Sequence, residues 1–176
     1  MGSFHTQVLV RNADEHRCAE VMRMLRRSSY VIPPHNNVSV VCGKESEDQN
    51  IDTLDNVALT LSSKLSTSAA AVLNHDDDWL IFRLFSDGEF VGGIQVGHTP
   101  LSLRGPVLKL RDLLNPRAPL LPLYVALLRP RIFQLRRHAD IVNLLGLPER
   151  SPGVGYKYIS TNNFIGHFDK AGIVET

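Results

Sequence analysis

The dipeptide Asp87-Gly88 constrains this chain more than any other feature. It separates two runs of eight residues, Trp79–Ser86 and Glu89–Val96, both rich in aromatic and β-branched side chains. Asp-Gly tolerates positive φ at both central positions, so the pair predicts a two-residue turn and an antiparallel hairpin. A turn of that kind fixes register, and register decides which side chains face inward.

Upstream of the hairpin, strand and helix patterns alternate. Val8-Leu9-Val10 reads as a short strand. Asn12 stands three residues before Glu15, the spacing of a capping box, and Cys18, Val21, Met22 and Leu25 then follow helical spacing. Tyr30–Ile32 and Val38–Cys42 flank the turn-rich Pro33–Asn37 and predict a hairpin. Lys44–Asn50 is acidic and reads as a solvated loop. Leu54, Val57, Ala58, Leu61 and Leu65 form a second helical stripe, and Ala69–Leu73 a further strand. The order strand, helix, strand, strand, helix, strand is that of a ferredoxin-like split βαβ sandwich, here extended by the hairpin. The expected class is α+β, with both helices on one face of the sheet.

The remainder reads differently. Six prolines punctuate a stretch rich in leucine and arginine over residues 99–130. Val107–Leu114, Leu120–Leu128 and Arg136–Leu145 read as helices, the last closed by Gly146. Gly153–Ile159 reads as a loop entering a last strand. The expected organisation is residues 1–98 as an α+β region and 99–176 as a mainly helical region with a C-terminal strand, the two packed together.

Composition narrows the classes. Of 176 residues, 43% are hydrophobic and 21% charged, which excludes wholesale disorder. No apolar run approaches the roughly 18 residues that span a bilayer. The start, Met1-Gly2-Ser3-Phe4-His5, lacks a basic region before an apolar stretch. Cys18 and Cys42 are too few for a disulfide scaffold or a four-cysteine zinc site. A cytoplasmic protein without membrane contact is the expectation. Net charge divides unevenly: residues 1–103 carry 8 Lys/Arg and 13 Asp/Glu, whereas 104–176 carry 11 and 5.

The run Arg137-His138-x-x-Ile141-x-x-x-Leu145-Gly146-Leu147-Pro148, followed by Gly153-x-Gly155-Tyr156-x-Tyr158-Ile159, resembles a C-terminal signature in a family of uncharacterised bacterial proteins. An Asp-rich stretch before a strand and an Asp-Gly hairpin precede that signature in the family. Here His75-Asp76-Asp77-Asp78-Trp79 and Asp87-Gly88 are similar. The likeness covers residues 69–159 and departs after Gly88 and at Thr161–Phe164. It implies a bacterial origin and a shared fold, and carries over no catalytic residue.

Several groups are candidates for chemistry. Asp76 and Asp78 alternate, so in an extended segment both carboxylates would point one way and offer oxygen ligands to Mg²⁺ or Ca²⁺. A solvated turn is the plainer expectation. His138 follows Arg136-Arg137 at a helix start and would act as a general base if Asp140 or Asp169 oriented it. Its shared face with Ile141, Val142 and Leu145 instead predicts a core histidine. Gly153-Val154-Gly155 lacks the strand and helix context of a dinucleotide loop. No cofactor is implied, and enzymatic activity is not the expectation.

The basic stretch between Arg104 and Arg137 contains eight positive residues against Asp112 alone. Arg129, Arg131, Arg136 and Arg137 are its candidate partner contacts. Leu120, Leu121, Leu123, Val125, Leu127 and Leu128 lie among them, more apolar side chains than one helix face hides. The expected function is a non-enzymatic protein-binding module, of immunity or regulatory type, whose partner is another protein or a second copy. The alternatives are an enzyme of unrecognised type using the Asp and His candidates, or nucleic-acid binding through the arginines.

Overall fold

The computed structural model describes residues 4–76, 78–97, 104–129, 133–161 and 172–176. The elements run β1 (His5–Arg11), α1 (Glu15–Met24), β2 (Ser29–His35), β3 (Val38–Gly43) and a 3-10 turn at Glu45–Asp48. Next come α2 (Ile51–Leu65), β4 (Ser68–His75), β5 (Trp79–Ser86) and β6 (Glu89–Val96). The second half supplies α3 (Arg104–Leu114), α4 (Leu120–Leu128), α5 (Gln134–Leu145), α6 (Tyr156–Thr161) and the short β7 (Val174–Glu175). The seven strands of the described residues form one antiparallel sheet in the order β6-β5-β4-β1-β3-β2-β7. The fold is α+β.

Turn chemistry sets the hairpins. Asp87 and Gly88 both have positive φ, 51° and 84°, and join Ser86 to Glu89 as the sequence predicts. The β2–β3 turn uses Asn36 and Asn37 in the same way, with φ of 47° and 64°. Asparagine adopts this left-handed conformation at less cost than other side chains.

Alternation along the strands sorts their side chains onto two faces. Val8, Val10, Val41, Ala69 and Ala71 pack under Cys18, Val21 and Met22 of α1 and Leu54, Val57, Ala58 and Leu61 of α2. Both helices therefore lie on one face of the sheet. The opposite face, bearing Leu9, Val40, Val72, Phe82 and Leu84, is covered by α3, α4, α5 and α6 through Val107, Leu110, Leu123, Ile141, Val142 and Ile159. The second half thus completes the core laid down by the first.

Three local expectations change. The cap of α1 is Asp14, whose side chain accepts from the Arg17 amide, while Asn12 turns at φ 52°. Asp14 is adjacent to the first helical residue, where its carboxylate reaches an orphan amide. Lys44–Asn50 contains the 3-10 turn and buries Ser46, so it is not all solvated loop. Residues 156–161 form α6 rather than a strand. The edge of β2 that a strand there would join is taken by β7, with Tyr30 opposite Glu175 and Val31 opposite Val174. A helical turn lets Ile159 enter the core without a strand partner.

Candidate functional site

Helix α4 reads LLPLYVALL and is apolar all round, so packing one side leaves the other in water. Leu123, Ala126 and Leu127 are buried. Leu121, Val125 and Leu128 point outward with 75%, 53% and 59% of their surface exposed. Their i, i+4, i+7 spacing makes a straight apolar ridge one helix long. Beyond it Phe133, at the start of α5, is also half exposed, with the Arg136 guanidinium 5.9 Å from its ring centroid. A groove of about 370 Å³ runs between the helices, with Val125, Ala126 and Arg129 on one wall and Asp140, Asn143 and Leu144 on the other.

Of the predicted contact arginines, Arg129 and Arg136 are exposed at this face. Arg137 is not. It is buried, donating from Nη1 to Gln134 Oε1 and from Nη2 to the Arg129 carbonyl, both at 2.6 Å. Arg137 therefore ties the end of α4 to α5 and leaves the surface to its neighbours. Arg131, like Asp77 and Asp169, lies outside the described residues.

His138 is fully buried against the sheet. Its ring stacks on His5 with centroids 5.2 Å apart and planes 8° from parallel, and Phe82 packs against it edge-to-face with ring centroids 6.1 Å apart. Gln7 Nε2 lies 3.1 Å from His138 Nε2, and His5 Nε2 lies 3.1 Å from His138 Nδ1. With the Gln7 amide donating, His138 is neutral and passes its own N–H to His5. Burial, then the neighbouring His5, push its pKa well below the ordinary value. Both ring nitrogens are engaged and no solvent reaches them, so a general base is not what this ring offers. Asp140, two residues on, lines the α4–α5 groove instead. His138 is the core histidine that its apolar face predicts, held by polar partners from β1.

The acidic stretch takes the form of its plainer expectation, a turn. Asp76 has φ 50°, and the Asp78 amide donates to the His75 carbonyl at 2.9 Å, so the segment turns rather than extends. Both side chains are exposed. Among the described residues no three His, Cys, Asp or Glu side chains converge on a metal position. Cys18 is buried, with its thiol pKa pushed up to about 12 by burial and nearby Asp14. Such a thiol is unreactive.

One group escaped the sequence reading. Glu47 is half-buried in the wall of a cavity of about 650 Å³, with Lys44, Asp48, Tyr156 and Lys157 around it. Burial raises its carboxyl pKa, opposed by the backbone amides of Tyr156 and Lys157. Only tertiary packing of the 3-10 turn on α6 reveals it, because its local sequence is an ordinary acidic loop. No family model matches the chain, and no curated protein or solved structure does either.

Proposed function

We propose that this protein is a non-enzymatic binding module that docks a partner protein on its α4–α5 face, as an immunity or regulatory partner protein does. The strand order β4-β1-β3-β2 with two helices on one face supports a ferredoxin-like description of the first half. Both faces of the sheet are covered, so an open sheet does not serve as an RNA platform.

The exposed ridge of Leu121, Val125 and Leu128 carries the reading. Apolar side chains aligned on one helix mark an interaction surface when they form a patch. Burying what remains of each contributes about 1 kcal/mol, and arginine is enriched at interfaces of this kind. Arg129 and Arg136 border the ridge, so the complementary occupant is an apolar segment with acidic flanks. A second copy would bring the same arginines together.

A photo-crosslinking residue at Val125 tests this, with one at exposed Leu59 on α2 as control. The expected result is a discrete adduct to another protein in the source cells, lost when Arg129→Glu and Arg136→Glu are added. Adducts only to a second copy, or none above the Leu59 control, overturn the reading.

A further inference from the structure

We infer that a second site, which shares no lining residue with the α4–α5 groove, binds a phosphoryl group between Arg11 and Arg117. A cavity of about 380 Å³ opens where the β2–β3 turn meets the α3–α4 connection, lined by Arg11, Asn36, Asn37, Asn115 and Arg117 among others. Its size lies at the small end of ligand sites, enough for a phosphate ester head group. Both charged residues in its wall are cations. Neither forms an ion pair with a carboxylate among the described residues. By contrast, the Glu47 cavity mixes lysines with carboxylates and supplies its own counter-charges.

The hydrogen-bond pattern points the same way. Two helices end beside this cavity, and their terminal carbonyls already accept. Arg11 Nη1 donates to the carbonyls of Asp112 at 3.0 Å and Leu113 at 3.2 Å. Asn115 Nδ2 donates to the Leu145 carbonyl at 2.9 Å, and Asn36 Nδ2 to that of Gly146 at 2.7 Å. With those acceptors occupied, the wall has donors left over among the described residues: the rest of the Arg11 fork and the Arg117 guanidinium. The helix-end dipoles offset part of the Arg11 charge. Arg117 then supplies the surplus positive charge. Guanidinium forks match the oxygens of a phosphoryl group in spacing and charge.

Isothermal calorimetry and thermal melts with inorganic phosphate and pyrophosphate test the site, at ionic strength held constant with sodium chloride. The expected result is saturable binding, one per chain, with a rise in melting temperature. Arg117→Gln removes an exposed side chain and should weaken binding at least tenfold without unfolding the protein. Asn37→Asp adds a carboxylate at the wall, keeps both arginines and suits the positive φ there, so it should weaken binding as well. Arg129→Gln, on the docking face, should leave it unchanged. No saturable response in the wild type, or an equal response in Arg117→Gln, overturns the proposal. A short single-stranded oligonucleotide and a nucleoside diphosphate then separate the sources of the group. Whichever binds with the same Arg117 dependence supplies it, and neither doing so overturns the site as a biological one.

Discussion

His138 gives the protein a pH dependence with a definite sign. Its folded pKa lies below the ordinary histidine value. Above about pH 6.5 the ring is neutral whether folded or unfolded, and its contribution is constant. As the pH falls below that, the unfolded ring takes up a proton that the folded ring refuses. Stability then drops by about 1.4 kcal/mol per unit from this one group. Glu47 acts in the opposite sense, since its raised carboxyl pKa stabilises the fold at low pH and that contribution is lost as pH rises. Comparing wild type with His138→Gln cancels Glu47. Urea midpoints between about pH 7.5 and 5.5 should show a steeper fall for the wild type, by about 1 kcal/mol overall. Parallel profiles for the two proteins would place the neutral ring in doubt.

Helix α4 concentrates the division between core and contact surface in nine residues. Leu123 is fully buried and Leu121 is mostly exposed, two positions apart on one helix. Leu123→Ala should therefore cost about 2–5 kcal/mol, the range for a buried leucine that leaves a cavity. Leu121→Ala should stay within about 0.5 kcal/mol while weakening the partner contact. Chemical denaturation of the two variants checks the pair, and equal losses would mean that the ridge packs inward. The existence of this helix was legible from Pro119 and the apolar run, and its bounds match Leu120–Leu128. The Trp79–Ser86 and Glu89–Val96 strands were equally legible, because Asp87-Gly88 acts locally. What sequence left hidden was tertiary. Tyr156–Ile159 has strand-forming residues, yet the sheet edge they would join belongs to β7. Arg137 looks like its neighbours in sequence, and only the proximity of Gln134 and the Arg129 carbonyl turns it inward. Arg11 and Arg117 line one cavity because β1 runs beside the end of α3.

At the scale of the whole molecule, the charge asymmetry of the sequence becomes an asymmetry of layers. The acidic first half supplies β1 to β6 of the sheet and the α1–α2 layer, and the basic second half supplies the helices on the far face and the short edge strand β7. Two outcomes follow from such an arrangement: the halves hold each other, or the basic layer looks outward to a partner. Distance favours the second. Helices about 10 Å across on opposite sides of a sheet are separated by on the order of 20 Å, well beyond the Debye length of about 8 Å at physiological salt. The halves bring opposite charges together at local points such as Glu47 beside Lys157. The ion pair of Arg83 with Asp55 lies within the first half, and that of Arg111 with Asp112 within the second. Raising sodium chloride from low to high concentration should therefore move the melting temperature little. A clasp worth about 1 kcal/mol would lower it by about 2–4 °C in a chain of this size. Association with an acid-bordered partner should instead slow steeply with salt, since steering acts over the distances that salt screens. A salt-sensitive melting temperature with a salt-insensitive association rate would reverse the assignment, making the arginine-rich layer a brace for its own fold.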